Sequence, residues 1–380
     1  MSKSKTLWVV VGILIVVVAV VYVVAGRKAA EKNVIKIGWV GPLTGDAAAY
    51  GEPMQKVTEL AVSEINAMGG IDGKQIQVVY EDGKCDGLDG ANAVQKLVNV
   101  DSVQAILGGF CSSETLAGVP IATAAKVLML SAGASSPSLT NISPYFFRDY
   151  PSDAAQGKVL ADAAWNMKHW KEVAFIQEQT DYAKGVYDAF ATEFQSLGGK
   201  VINQPFSSNT NDFRSILTTL RSQHPNALFV DVQAPLEATR ILTQVQQLGW
   251  KPSLLIPDSV AGDPPTIREN QAILEGALTA EFGTDPTNSK FEHLVSSYQA
   301  KYGAVPSYES YAQTFYDAVY LLKDGINAVG NNGTALAQWS RTIKDWQGSS
   351  GSVTILPTGD RASGHRLEVI HGGKAVPAAQ

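Results

Sequence analysis

The stretch Val34-Ile-Lys-Ile-Gly-Trp-Val40 and the segment that follows it decide the fold. This compact run is rich in β-branched residues and is typical of a buried strand. A loop of small and polar residues comes next. From Pro53, apolar residues recur at steps of three and four until Gly69-Gly70 ends the pattern as a helix stop signal. The order strand, loop and helix predicts a right-handed crossover between parallel strands.

The same alternation continues along the chain in two blocks of similar size. The first block predicts strands at 75–80, 103–107 and 127–130 and helices at 91–98 and 115–125. The pattern breaks between Pro144 and Pro151. The second block predicts helices at 154–167, 185–197, 213–221 and 236–248 and strands at 173–176, near Val201, and at 227–230 and 253–256. Two further helical patterns, at 291–302 and 308–329, exceed what the second sheet needs and are expected to return to the first unit. We therefore predict an α/β protein with two parallel-sheet units.

The composition is that of an ordinary globular protein. The 380 residues exceed the roughly 250–300 at which a single hydrophobic core stops growing, which favours two domains. Apolar residues make up 45% of the chain and charged residues 17%, which argues against a mostly disordered protein. The formal net charge is -6 and no basic stripe carries interleaved aromatic residues, so no nucleic-acid partner is expected.

The segment 1–33 differs from the rest of the chain. Leu7 to Ala25 carry no charge, and roughly 20 apolar residues suffice to span a bilayer as a helix. Lys3 and Lys5 precede this run, which is longer than the apolar part of a typical signal peptide. We therefore predict one N-terminal hydrophobic helix that anchors the chain to the cytoplasmic membrane through residues 7–25. A signal segment cleaved after Ala25 is the alternative, and the flanking charges do not settle the orientation.

Cys85 and Cys111 are the only two cysteines. A single pair suits a disulfide, and two unrelated buried thiols are the alternative. The sequence contains no CxxC motif and no histidine cluster with zinc spacing, so neither a metal nor a cofactor is expected.

The loops that follow the predicted strands should carry the binding residues, since ligands of open parallel sheets bind at the carboxyl ends of the strands. Ser112 stands just before a predicted helix, where free backbone N–H groups attract a carboxylate. Asp258 follows a strand of the second unit, and its side chain can pair with an ammonium group. Each residue also has a plain structural interpretation, as a helix-capping serine or a turn aspartate. Other polar or aromatic residues in these loops are Tyr50, Ser113, Ser135, Ser136, Tyr182 and Gln233.

The same loops give no support to an enzyme. They contain no GxGxxG, GxxxxGK[ST] or GxSxG motif. The five histidines lie outside them and most are expected at the surface. We predict a protein without enzymatic activity.

Several motifs occur together in this chain: Gly41-Pro42-Leu43-Thr44-Gly45 with Tyr50-Gly51, Gly69-Gly70-Ile71-Asp72-Gly73, Asp181-Tyr182-Ala183-Lys184-Gly185, and Tyr316-Asp317-Ala318. With these motifs the chain resembles, over 34–369, the type I periplasmic binding proteins of the leucine/isoleucine/valine group. Members of that group feed branched-chain amino-acid ABC importers.

The resemblance implies a particular architecture. Two Rossmann-like lobes are joined by three hinge crossings, near Tyr150, Phe282 and Arg361. Lobe one then comprises 34–150 plus 283–360, and lobe two comprises 151–282 plus 361–380 with the strand 366–370. Cys85 and Cys111 form the disulfide of lobe one, which places the folded part in an oxidising compartment outside the cytoplasm.

The resemblance also implies a ligand set. The donors to the α-carboxylate match Ser112 and Ser135, the carbonyl-presenting residues match Gly133 and Ala134, the covering aromatic residues match Tyr50 and Tyr182, and the amine-binding acid matches Asp258. Two positions depart from the family pattern. Asp258 stands where a longer glutamate is usual, and Gln233 stands where a tyrosine is frequent. The pocket is therefore expected to prefer a polar or larger side chain.

The function implied is that of an extracytoplasmic solute-binding receptor, which closes two lobes around an amino acid and delivers it to ABC transporter permease subunits. A receptor module that signals through the anchor is the alternative. Because no second span precedes Gln380, transport is favoured over signalling. Amides, urea and aromatic acids are alternative ligands for the same cleft.

Overall fold

The computed structural model describes residues 34–378. The predicted membrane segment 7–25 lies outside these residues. Within 34–378, no helix combines the length and the apolar character that a membrane crossing needs.

The first sheet has five parallel strands in the order β2-β1-β3-β4-β5. Its strands are β1 (Val34–Gly41), β2 (Gln75–Asp82), β3 (Ala105–Leu107), β4 (Leu128–Ser131) and β5 (Phe146–Arg148). Both faces of β1 are covered. Ile37 and Trp39 lie in one apolar cluster, whereas Val40 lies in another on the opposite face. A strand that is buried on both faces consists of consecutive apolar residues. The segment Val34 to Val40 therefore predicts a buried strand from its composition alone.

Helices cover both faces of this sheet. One face carries the helices Ala48–Ala67, Ser289–Tyr302, Glu309–Val329 and Gly333–Ser340, and the other carries Gly87–Asn99 and Ser112–Ala124. Phe315 and Leu322, far along the chain, share a core cluster with Ile37. A small hairpin of β11 (Trp346–Gly348) and β12 (Gly351–Val353) adds Val353 to the same cluster.

The second sheet has seven strands in the order β14-β13-β10-β9-β8-β6-β7. Its strands are β6 (Glu172–Glu178), β7 (Lys200–Phe206), β8 (Ala227–Asp231), β9 (Ser253–Leu255), β10 (Leu278–Glu281), β13 (Arg366–His371) and β14 (Lys374–Pro377). The first five are parallel, whereas β13 and β14 are antiparallel to their neighbours. The helices around this sheet are Asp153–Asp162, which continues as a π-helical segment Ala163–Met167, and then Asp181–Ser196, Arg214–Ser222, Pro235–Gln247, Asp258–Ala261, Pro264–Glu269 and Gln271–Leu274.

Besides Ser112 and Ser113, which begin the helix Ser112–Ala124, three of the predicted loop residues lie in the first turn of a helix instead. The first helix begins at Ala48 and contains Pro53, so Tyr50 is helical. The apolar periodicity predicts this helix only from Pro53 onwards, so Tyr50 was expected in the preceding loop. Tyr182 and Asp258 likewise lie within the first two residues of their helices. All three remain at the carboxyl side of the strands.

Three connections join the two sheets: from β5 to the helix Asp153–Asp162, from β10 to the helix Ser289–Tyr302, and from β12 to β13. The lobe boundaries at 150/151, 282/283 and 360/361 stay predictions.

Two crossed ion pairs hold the first connection against the third. Arg148 contacts Asp360 at 2.8 Å, and Arg361 contacts Asp149 at 3.0 Å. All four residues are buried. The guanidinium of Arg361 also lies over the ring of Phe282, in the second connection, at 4.7 Å from its centroid. Charged groups that are out of water need such partners, and here they tie the three connections to one another.

Candidate functional site

A small cavity lies between the two lobes at the carboxyl ends of their strands. Its volume is about 20 Å³, which is room for a single water molecule. Six of the eight predicted ligand-binding residues line it, together with four that were not predicted. The lining residues are Tyr50, Phe110, Cys111, Ser112, Gly133, Ser135, Tyr182, Gln233, Ser259 and Tyr311.

The lobes are closed over this cavity by direct hydrogen bonds. The Tyr50 hydroxyl donates to the carbonyl oxygens of Ser259, at 2.8 Å, and Gln233, at 3.1 Å. At the edge of the cleft, the Ser113 hydroxyl donates to Asp181 at 2.8 Å. A solute larger than water therefore enters only when these contacts open.

Ser112 and Ser135 are both buried on the lobe-one side of the cavity. The backbone N–H of Ser136 donates to the Ser112 hydroxyl oxygen at 3.1 Å. That contact fixes the side chain and leaves its hydroxyl hydrogen available. Ser112 is also the first residue of the helix Ser112–Ala124, so the positive end of the helix dipole faces the cavity. This combination suits a carboxylate.

Glu114 and the disulfide shape the turn that presents Ser112. The predicted disulfide between Cys85 and Cys111 is present, with the Cα atoms 5.1 Å apart. The Glu114 carboxylate accepts from the N–H groups of Cys85, at 2.8 Å, and Cys111, at 3.0 Å. Burial raises the pKa of Glu114 to about 7, although these backbone N–H groups oppose the increase.

We expect loss of the disulfide to destabilise lobe one. The two cysteines are 26 residues apart, and a cross-link over a loop of that length contributes about 3 kcal/mol by restricting the unfolded chain. Chemical denaturation should therefore show the double variant Cys85→Ser, Cys111→Ser less stable than the wild type by about that amount. The reduced wild-type protein is the control. A variant as stable as the oxidised wild type would contradict this account.

Gly133 and Ala134 differ in their placement. Gly133 lines the cavity, and a Cβ at this position would meet Phe110 at 3.0 Å. Ala134 does not line it. Its N–H donates to the Ser131 hydroxyl at 2.9 Å, and its carbonyl accepts from Arg148 at 3.4 Å. Both backbone groups of Ala134 thus serve lobe one in the closed state.

Asp258 lies behind the cavity wall, surrounded by donors. One oxygen accepts from Gln156, at 2.9 Å, from the Tyr182 hydroxyl and from the Ser259 N–H, at 2.9 Å. The other accepts from the hydroxyls of Tyr150, at 2.7 Å, and Tyr311, at 3.4 Å. Burial alone would raise the pKa of Asp258, but the nearby His365 imidazole and the tyrosine hydroxyls bring it below its usual value. Asp258 is therefore ionised at neutral pH.

Asp153 and His365 lie beside Asp258, and the three side chains offer ligand atoms within 4.8 Å of one another. Two carboxylates and an imidazole are ligand types that bind metal ions. The donor set argues otherwise, because tyrosine hydroxyls, an amide and a backbone N–H already occupy the lone pairs of Asp258. Burial, followed by the charge of Asp258, raises the pKa of Asp153 well above its usual range, so that Asp153 keeps its proton.

The aromatic residues of the site form a connected cluster that sequence patterns only partly indicated. Tyr50 stacks on Phe110 at 5.2 Å, and Tyr150 contacts Tyr311 at 4.7 Å, measured between ring centroids. Tyr311 was not among the predicted ligand-binding residues. No sequence pattern indicated that His365 would lie at the site. It is the buried exception among the five histidines, since the others are exposed.

A second chamber, of about 810 Å³, opens outside the cavity. Gln233 lines both spaces. The chamber walls carry more acidic than basic side chains; the acids are Asp46, Asp86, Glu178, Asp181 and Asp188, and the bases are Lys84 and Lys184. A ligand group that passes Gln233 would therefore enter a polar and acidic space.

Residues 34–369 match the sequence profile of the family described as periplasmic binding protein. The chain belongs to the periplasmic binding protein family. The predicted resemblance is thereby confirmed, and the family implies a location outside the cytoplasm.

Relatives support the leucine/isoleucine/valine branch. The Leu/Ile/Val-binding protein homolog 2 of Brucella abortus is 30% identical over 305 residues, which are 78% of this chain and 79% of the relative. Leucine binding protein LivK from Thermotoga maritima has a TM-score of 0.83 at 26% identity and covers 91% of this chain and 98% of its own. LivJ from Streptococcus pneumoniae, in complex with isoleucine, has a TM-score of 0.80 at 28% identity over 90% of this chain and 97% of its own. These relatives are binding proteins, which confirms the expectation of a non-enzymatic function.

Proposed function

We propose that this member of the periplasmic binding protein family is the amino-acid receptor of an ABC importer. One observation carries the proposal: Ser112, at a helix N-terminus of lobe one, lines the closed cavity, and the ionised Asp258 of lobe two lies directly behind the cavity wall, hydrogen-bonded to lining residues. A small molecule that carries both a carboxylate and an ammonium group would match this serine and this acid.

In the bound state the ligand carboxylate lies against Ser112 and Ser135, with Gly133 beside it. The ammonium group points towards Asp258. Tyr50 and Tyr182 cover the ligand, and Gln233 lies where the ligand side chain would pass from the cavity into the outer chamber. Ala134 contributes a carbonyl only if Arg148, which belongs to the same lobe, releases it.

Ligand capture is a hinge motion about the three connections. The lobes, 34–150 plus 283–360 and 151–282 plus 361–380, separate to admit the solute and then close over it. The crossed pairs of Arg148 with Asp360 and of Arg361 with Asp149 keep the connections together while they bend.

Delivery requires a partner in the membrane. We propose that residues 7–25 tether the receptor to the cytoplasmic membrane and that the closed form docks on permease subunits. The name LivJ and its description as a branched-chain amino-acid transporter substrate-binding protein support transport for the relative. A permease and an ATPase encoded beside this chain would favour transport over signalling here.

A thermal-shift screen tests the ligand class. An amino acid present at about 100 times its Kd should stabilise the folded receptor by about 2.7 kcal/mol and raise its Tm. The panel includes branched-chain, polar and basic amino acids beside amides, urea and aromatic acids. Ser112→Ala serves as the control, since it should reduce the shift. A shift with aromatic acids or amides and none with any amino acid would contradict the proposal.

A further inference from the structure

The carboxylate of Asp258 is already saturated in the closed state. It has about four lone-pair sites, yet five hydrogen-bond donors and one imidazole surround it. Two of these partners come from the connections between the lobes: Tyr150 from the first and His365 from the third. Both lie on the same carboxylate oxygen, with the Tyr150 hydroxyl at 2.7 Å and His365 Nε2 at 3.7 Å.

His365 has no other partner. Its side chain is fully buried, and among residues 34–378 neither ring nitrogen has a hydrogen-bond partner. A buried polar group without a partner is costly. The Asp258 carboxylate is the acidic group that His365 Nε2 faces, at 3.7 Å.

The other acids near this site do not compete for that role. Burial raises the pKa values of Asp153, Asp231 and Glu281 well above the usual range, and neighbouring carboxylates raise them further. These side chains therefore keep their protons. Asp258 is the ionised member, and it is the one that faces His365.

We infer that His365 is a specificity-determining residue, which together with Tyr150 holds the oxygen of Asp258 that a ligand ammonium group must take over. The inference rests on the proposed function and deepens it. An amino acid gains the ion pair with Asp258 only by displacing these internal partners. A carboxylic acid without an amine leaves them in place.

The position of His365 links this exchange to the hinge. Its ring lies 5.9 Å from that of Tyr150, and Tyr150 lies 5.8 Å from Phe282, measured between centroids. One aromatic ring from each connection therefore meets the next behind Asp258. Displacement of His365 and Tyr150 thus occurs at the point about which the lobes move.

Calorimetric titration of His365→Leu with two matched ligands tests the inference. Leucine and isocaproate share a carbon skeleton, and only leucine carries the amine. We expect the variant to bind leucine about tenfold more tightly than the wild type does, because one competing donor to a charged group has been removed. Its affinity for isocaproate should stay within about twofold of the wild-type value, since that ligand has no amine to form an ion pair with Asp258.

Two further variants keep the result interpretable. Tyr150→Phe retains the ring contacts, removes the other donor and should also favour leucine over isocaproate. His293→Leu, at an exposed histidine, should change neither affinity. An equal change for both ligands, or weaker leucine binding, in both His365→Leu and Tyr150→Phe would overturn the inference alone. A wild-type protein that binds no amino acid at all would overturn the proposed function and the inference together.

Discussion

Replacing Asp258 by asparagine should weaken amino-acid binding by about 3 to 5 kcal/mol, because closure would bury the ligand ammonium without its counter-charge. Asp258 is only 1% exposed, so water cannot compensate for the lost charge. Calorimetric titration at neutral pH, with the amino acid that stabilises the wild type most, measures the effect.

Asp153→Asn is the matched control for this variant. Asp153 is equally buried beside Asp258, but its raised pKa keeps it protonated, so the amide replaces a neutral group. We expect a much smaller loss of affinity than in Asp258→Asn. Unchanged amino-acid affinity in Asp258→Asn would remove Asp258 from the ligand site.

Replacing Arg361 by methionine should lower the free energy of unfolding by about 3 to 5 kcal/mol. Its guanidinium donates to Asp149, at 3.0 Å, and to the Ser350 hydroxyl, at 2.7 Å. Burial raises the pKa of Asp149 to about 7 even with Arg361 present, and the substitution removes the charge and the hydrogen bond that oppose this rise. Denaturant unfolding followed by circular dichroism measures the change.

Two controls separate the charge effect from the loss of side-chain volume. The double variant Arg361→Met, Asp149→Leu should recover part of the stability, since no uncompensated charge remains. Arg214→Met removes an arginine whose pair with Asp212 is exposed, and should cost little. An Arg361→Met protein with wild-type stability would show that the pair does not hold the connections.

The alternation of strands and helices was predictable because it depends on local periodicity. Strands such as β1 and β8 are buried on both faces, so they appear as unbroken apolar runs. The hairpin of β13 and β14 was predicted only in part. The strand at 366–370 was expected in lobe two, but its antiparallel direction depends on pairing with β10, about ninety positions earlier, which no local pattern records.

The residues of the candidate site were likewise predictable only in part. Ser112, Gly133 and Gln233 line the cavity as expected, since loops at the carboxyl ends of parallel strands converge whatever their sequence separation. His365 was missed because its burial results from the third connection passing behind Asp258. The closed-state role of Ala134 was missed as well, since the Arg148 side chain that occupies its carbonyl belongs to a different strand.

A crystal structure of the receptor, grown with the amino acid that gives the largest thermal shift, tests the central claim most directly. We predict that the ligand occupies the enlarged cavity between the lobes. Its carboxylate should lie within about 3 Å of the Ser112 hydroxyl, and its ammonium group within about 3 Å of Asp258. A ligand bound outside the cleft, or bound between the lobes with its ammonium group turned away from Asp258, would contradict the account.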